Sequence, residues 1–113
     1  MKKIIAIIRP SVVERVEHAM HALGHFPGLT LLRVHGESRG RAAEHAYEPA
    51  DWDIEEHDNV MMLVICSDKL VAPVLDAISS AAHTGRPGDG VIAVSEVSEV
   101  VRIRTGERGL AAV

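Results

Sequence analysis

Aromatic side chains are nearly absent: one Trp, one Tyr and one Phe make up 3% of the 113 residues. A core without them has to be filled by Val, Ile, Leu, Ala and Met, a set suited to close packing of helices on a sheet. Cysteine is just as scarce. In place of a disulfide framework there is a single Cys66 inside an apolar run, which reads as a buried structural thiol. Nor is there an excess of basic charge. Twelve Lys and Arg stand against sixteen Asp and Glu, a net charge of −4. That balance argues against a general binder of nucleic acid or membrane surfaces, which needs a basic face from which counterions are released. Long hydrophobic runs are missing too. The opening apolar stretch covers only residues 4–8 and stops at Arg9-Pro10, unlike a signal peptide, so a cytoplasmic location without membrane insertion is expected.

What is present is enough apolar material, 47% of the chain, for one domain over residues 1–113 with a single core. Residues 4–8 are short, β-branched and ended by a proline, the pattern of a buried strand. Ser11-Val12-Val13-Glu14 has the form of a capping box. Val12, Val13, Val16, Ala19, Met20 and Leu23 then recur at helical spacing up to Gly24. Residues 29–34 read as a second strand. Residues 60–66 read as a third, apolar on both faces and therefore central. Ser67 or Asp68 is expected to cap a second helix with Leu70, Val71, Val74, Leu75, Ile78 and Ala82 on its buried stripe, ending at Gly85. Residues 91–94 and 100–104 close the chain as strands. The expected class is α+β: a ferredoxin-like βαββαβ domain with an antiparallel sheet, plus a C-terminal strand. Both helices fall on one face of such a sheet. The other face, rich in Val, Ile and Met, would be an apolar patch larger than monomers tolerate, which implies a homo-oligomer.

The chemistry concentrates in the last third. Thr84-Gly85-Arg86-Pro87-Gly88-Asp89-Gly90 reads as a glycine-rich turn whose backbone amides face an anion. Arg102 and Arg104 flank Ile103, so on a strand both guanidinium groups would share one face while Ile103 points into the core. Either piece alone is compatible with an ordinary turn or a solvated strand. Together, in a small acidic protein, they point to a polyphosphate site. No Ser-His-Asp, Cys-His or paired-carboxylate arrangement has a catalytic context, so a non-enzymatic protein is expected.

The blocks at 84–90 and 101–109, with Met1-Lys2-Lys3-Ile4-Ile5-Ala6-Ile7-Ile8-Arg9-Pro10 at the start, resemble the PII signal-transduction proteins. The likeness runs nearly end to end and departs strongly only at about 37–58. It implies a homotrimer with adenine-nucleotide sites in the clefts between subunits, and a long loop that controls a partner protein such as a membrane transporter or an enzyme. Carried over by position, the likeness makes Gly88, Asp89 and Gly90 the phosphate-facing turn. Arg102 and Arg104 become phosphate ligands from the neighbouring subunit. Arg39 becomes a further phosphate arginine at the base of the loop, and Ile7, Gly28, Thr30 and Ile65 become the lining of the adenine and ribose. Two departures bear on affinity. Val91 replaces a lysine directed at the terminal phosphates, and Leu63 replaces a glutamate on the adenine side. A lost lysine–phosphate contact removes about 1.5–3 kcal/mol, so ADP or AMP is expected to bind in preference to ATP.

The loop itself has changed. Trp52 stands where many relatives carry a modifiable tyrosine, which excludes uridylylation there, although Tyr47 remains. Gly40 replaces a glutamine that helps hold magnesium and 2-oxoglutarate, and Asn59 replaces the lysine that pairs the oxoglutarate carboxylate, so ordinary 2-oxoglutarate sensing is not expected. The segment from Glu44 to Asp58 is dense in carboxylates with two histidines. It reads as a mobile solvated loop that would act as the switch. A sharper alternative is a divalent-metal site, with His45 and Glu48, or Asp53 and His57, as ligand pairs. On that alternative the protein is a metal or inorganic-ion module, bicarbonate included, linked to heavy-metal efflux or inorganic-carbon regulation. His18, His21 and His25 would share one helical face, most simply a polar outer one.

Overall fold

The computed structural model describes residues 1–36 and 58–113. Strand β1 (Lys2–Ile8) leads through a 3₁₀ turn at Pro10–Val12 into helix α1 (Val13–His21). Strand β2 (Thr30–His35) and strand β3 (Asp58–Cys66) follow, then a 3₁₀ turn at Asp68–Leu70, helix α2 (Val71–Ala82) and strand β4 (Val91–Glu96). The four strands form one antiparallel sheet in the order β2-β3-β1-β4. β3 is central, as its apolar run requires, and with β1 it forms the middle of the sheet.

Alternation decides which side is dry. Ile4, Ala6 and Ile8 of β1 and Val60, Met62, Val64 and Cys66 of β3 are buried and share one face. Both helices cover that face through Val16 and Met20 of α1 and Val74, Ile78 and Ala82 of α2, with Val12 sealing the entry to α1. Burial pushes the Cys66 thiol above the ordinary thiol range. The register places Ile5, Ile7, Met61, Leu63, Ile65, Thr30, Leu32, Val91 and Ala93 on the opposite face, which neither α1 nor α2 covers.

Three local expectations are corrected. Ser11 makes no capping hydrogen bond. Pro10 instead opens a 3₁₀ turn closed by the Val12 amide donating to the Arg9 carbonyl at 3.2 Å, and α1 begins only at Val13. Neither Ser67 nor Asp68 caps α2. The Asp68 carboxylate is drawn instead to the Met1 amino group at 2.8 Å and to Lys2 Nζ at 3.3 Å, which holds it below the usual carboxylate range, the amino-terminal hydrogen bond first. α1 ends at His21, short of Gly24, so His25 lies beyond the helix and His21 instead stacks on Phe26, ring centroids 4.0 Å apart.

The largest correction concerns the C-terminal strand. Residues 100–104 do not join the sheet. They form one arm of a reversal closed by Arg102 N–H to the Glu107 carbonyl at 2.9 Å, Gly106 N–H to the Arg102 carbonyl at 2.7 Å, and a single bridge between Val101 and Arg108. The hydrogen bonds that a sheet edge would have accepted are satisfied inside this loop, and a short 3₁₀ helix at Gly109–Ala112 follows.

Candidate functional site

The glycine turn hangs between the end of α2 and the start of β4, beside the last residues of β1. Asp89 organises it. Its Oδ2 accepts the Thr84 amide at 2.7 Å and the Gly85 amide at 2.9 Å, and its Oδ1 accepts the Thr84 hydroxyl and, at 3.2 Å, Arg9 Nε. The Thr84 hydroxyl, then the Thr84 amide, with further help from the Gly85 amide and the Arg9 guanidinium, hold the Asp89 carboxyl well below the usual carboxylate range. Arg9 completes the frame from the other side. Its Nη2 donates to the Pro87 carbonyl at 2.5 Å and to the Arg86 carbonyl at 3.4 Å, so one guanidinium joins the end of β1 to three points of the turn.

Two glycines make this closeness possible. At Gly90 (φ +102) a Cβ would fall inside the Ile7 carbonyl oxygen and 2.8 Å from the Ile7 carbonyl carbon. At Gly88 (φ +96) it would stand 3.2 Å from Arg9 Nη2. Both positions lie in the left-handed region that glycine tolerates. The amides of Gly88 and Asp89 donate to no partner among the described residues. Successive free amides in such a turn form a concave donor set for an anion.

Not every residue expected at the site comes together. Gly88, Asp89 and Gly90 share the turn, and Ile7 lies beside it on the open sheet face, opposite both Met61 and Val91. Val91, in the place of the expected lysine, is 61% exposed at that spot. Thr30 and Ile65 are on the same face but nearer its other end, opposite Leu63 and Lys3. Four residues separate the partners of Ile65 and Ile7 along β1, about 13 Å. Gly28 precedes β2 at that far end.

Arg102 and Arg104 do not display paired guanidinium groups on a strand, because the chain turns there. Arg102 donates through Nη2 to the Ala112 carbonyl at 2.9 Å. Arg104 is exposed, and Ile103, expected in the core, is 99% exposed. Among the described residues no hydrogen bond or ion pair joins either arginine to the glycine turn of the same chain. Asn59 lies in β3 opposite Val34. Arg39, Gly40, His45, Tyr47, Glu48, Trp52, Asp53 and His57, and with them the expected metal pairs and the switch loop, lie outside the described residues.

Sequence reasoning passed over Arg9 and Thr84. The signal for Arg9 was a cation at the mouth of a buried strand. The signal for Thr84 was a hydroxyl five residues before an aspartate across a glycine-rich turn, the spacing of a side chain that closes its own loop.

The family model described as "Nitrogen regulatory protein P-II" matches residues 1–107. A nitrogen regulatory protein P-II of Azospirillum brasilense is 43% identical over 109 residues, 96% of each chain. That of Rhizobium meliloti (strain 1021) is 41% identical over 113 residues, the whole of both chains. "Nitrogen regulatory protein P-II 2" of Methanothermobacter thermautotrophicus is 41% identical over 113 residues, the whole of this chain and 97% of its own. A match of this extent and evenness, on a fold that carries the expected sheet and glycine turn, shows that the chain belongs to the nitrogen regulatory protein P-II family.

Proposed function

We propose that the protein is a non-enzymatic, cytoplasmic regulator that assembles as a homotrimer and binds an adenine nucleotide between subunits, ADP or AMP ahead of ATP. In this reading Gly88, Asp89 and Gly90 receive the phosphates from one subunit, while Arg102, Arg104 and Arg39 neutralise them. Ile7, Gly28, Thr30 and Ile65 line the nucleoside. The segment at 37–58 conveys the bound state to a transporter or enzyme, and Gly40 and Asn59 remove the usual 2-oxoglutarate response.

The observation that carries the reading is the glycine turn: a rigid frame of Asp89, Thr84 and Arg9 around amides of Gly88 and Asp89 that donate to no described residue. Rigid, pre-aimed amides suit an anion that the chain itself does not provide. Two further facts support assembly around it. The open sheet face carries Ile5, Ile7, Met61, Leu63 and Leu32, apolar area that a second copy would remove from water. Arg102 and Arg104 also make no hydrogen bond or ion pair, among the described residues, to the glycine turn of their own chain. The preference for short phosphate chains follows from Val91, which offers an exposed isopropyl group where a lysine would meet the terminal phosphate.

Calorimetric titration with ATP, ADP and AMP, alongside sedimentation equilibrium, tests the whole proposal. Expected are a species of three chains and binding of ADP or AMP at least about tenfold tighter than ATP, the equivalent of one charge-assisted contact. A monomer, or tight ATP with weak ADP, contradicts it.

A further inference from the structure

His83 stands at the carbonyl end of α2 and leans over the glycine turn. Its backbone is extended (φ −66, ψ 127), and its side chain is 74% exposed. The imidazole Nδ1 is 3.8 Å from Asp89 Oδ2. Nε2 lies 3.7 Å from the position a Cβ on Gly85 would take. The ring therefore borders the turn at the Thr84–Gly85 side and is open to solvent and ligand.

The charged groups around it among the described residues are few. Asp89 faces it through Oδ2. Arg9, at the end of β1, holds the other oxygen of that carboxylate at 3.2 Å, and Arg86 is exposed at the tip of the turn. The last carbonyls of α2 add partial negative charge. Arg9 and Asp89 form a closed pair, so with a neutral imidazole the base of the turn carries no net charge. With Val91 on the sheet side, it has no lysine there either. A protonated His83 changes this balance by one full positive charge, 3.8 Å from the Asp89 carboxylate.

The geometry points to His83 as a specificity-determining residue of the phosphate site: its protonated imidazole adds, at the Thr84–Gly85 side of the turn, a second cation to that of Arg86 at the tip, so nucleotide phosphate is held more tightly as pH falls. Histidine is the side chain that gains charge between pH 8 and pH 5. The inference rests on the nucleotide reading above and adds to it a dependence on pH.

The test is calorimetric titration of ADP at about pH 6 and about pH 8 into the wild type, His83→Gln and His83→Arg. The terminal phosphate of ADP takes up its own proton in this range, but equally for all three proteins, so the comparison between proteins is the readout. A unit charge a few ångströms from phosphate in a largely aqueous setting changes affinity by about three- to tenfold. The wild type is expected to gain that factor over His83→Gln on going from pH 8 to pH 6, with the two proteins alike at pH 8. His83→Arg, permanently charged, is expected to show the tighter binding at both. If ADP binds all three proteins with the same pH dependence, the role of His83 is refuted while the nucleotide site stands. If ADP binds none of them at either pH, the nucleotide reading itself has failed, and this one with it.

Discussion

Replacing Gly90 by alanine tests the link between the sheet and the turn at its narrowest point. The added methyl would fall inside the Ile7 carbonyl oxygen, 2.8 Å from the Ile7 carbonyl carbon and 3.4 Å from Ile8 Cα. All three atoms belong to the main chain of β1, so no side-chain rotation relieves the clash. Relief requires β4 to part from β1 at the Ile7–Val91 end of their ladder. An L-residue at φ +102 adds about 1–3 kcal/mol of backbone strain, and each ladder hydrogen bond lost adds about 0.5–1.5 kcal/mol. The sum is about 3–5 kcal/mol, against a total stability of about 5–15 kcal/mol for an ordinary domain. Gly88→Ala is the control. It has a similar positive φ, but the nearest atom to its methyl is Arg9 Nη2 at 3.2 Å, the movable end of a long side chain, so its cost is expected to stop at the strain itself. Urea unfolding followed by circular dichroism, at one protein concentration because association adds to stability, reads the difference. For a slope of about 1–3 kcal/mol per molar urea, the Gly90→Ala midpoint is expected to fall by about 2 M, clearly more than that of Gly88→Ala. Equal midpoints for the two variants would refute the close approach of the turn to β1.

Asp89→Asn removes a carboxylate whose folded-state value is depressed. The stability it contributes is therefore complete above the unfolded value of about 3.9 and is lost as pH falls below it. The melting temperatures of wild type and variant are expected to differ by a constant amount between about pH 5 and 8 and to converge in stronger acid; convergence already near pH 6 would contradict the assignment. Val91→Lys restores an ammonium beside Ile7 and is expected to strengthen ATP by about tenfold or more, the worth of a charge-assisted bond, with AMP unchanged in a parallel titration. 2-Oxoglutarate is expected to give no binding heat even with Mg-ATP present, since Asn59 offers no countercharge to a dicarboxylate; saturable heat would restore the usual sensor reading.

Much of the fold was legible because it is written in short-range periodicity. The unbroken apolar runs at 4–8 and 60–66 told of buried strands, the second of them central, but which side faces the helices shows only in the burial of Ile4, Ala6 and Ile8 and of Val60, Met62, Val64 and Cys66, because their neighbours in sequence are apolar too. The helical recurrence of Val16 and Met20 and of Val74, Ile78 and Ala82 told of the cover. The glycine turn was legible because few residues other than glycine fit positions such as 88 and 90. Interactions between residues distant in sequence were not. Arg9 meets Asp89 across 80 positions, and Asp68 abandons its helix for the amino group of Met1, choices that depend on a sheet already formed. The arginine segment misled for a related reason. Val-Arg-Ile-Arg alternates like a strand, but Arg102 finds its hydrogen-bond partners at Gly106, Glu107 and Ala112, so local closure wins over the edge of the sheet.

The most direct test of the central reading is ADP affinity in Arg104→Ala, measured by calorimetry beside the wild type after both are shown to have the same assembly state. Arg104 is exposed and makes no hydrogen bond or ion pair among the described residues, so its loss is expected to leave the fold of one subunit intact. If phosphate is gripped between subunits, the variant is expected to bind ADP at least about tenfold more weakly, the loss of one charge-assisted contact of about 1.5–3 kcal/mol. Unchanged ADP affinity in the folded variant would contradict a site shared between the glycine turn and the C-terminal arginines.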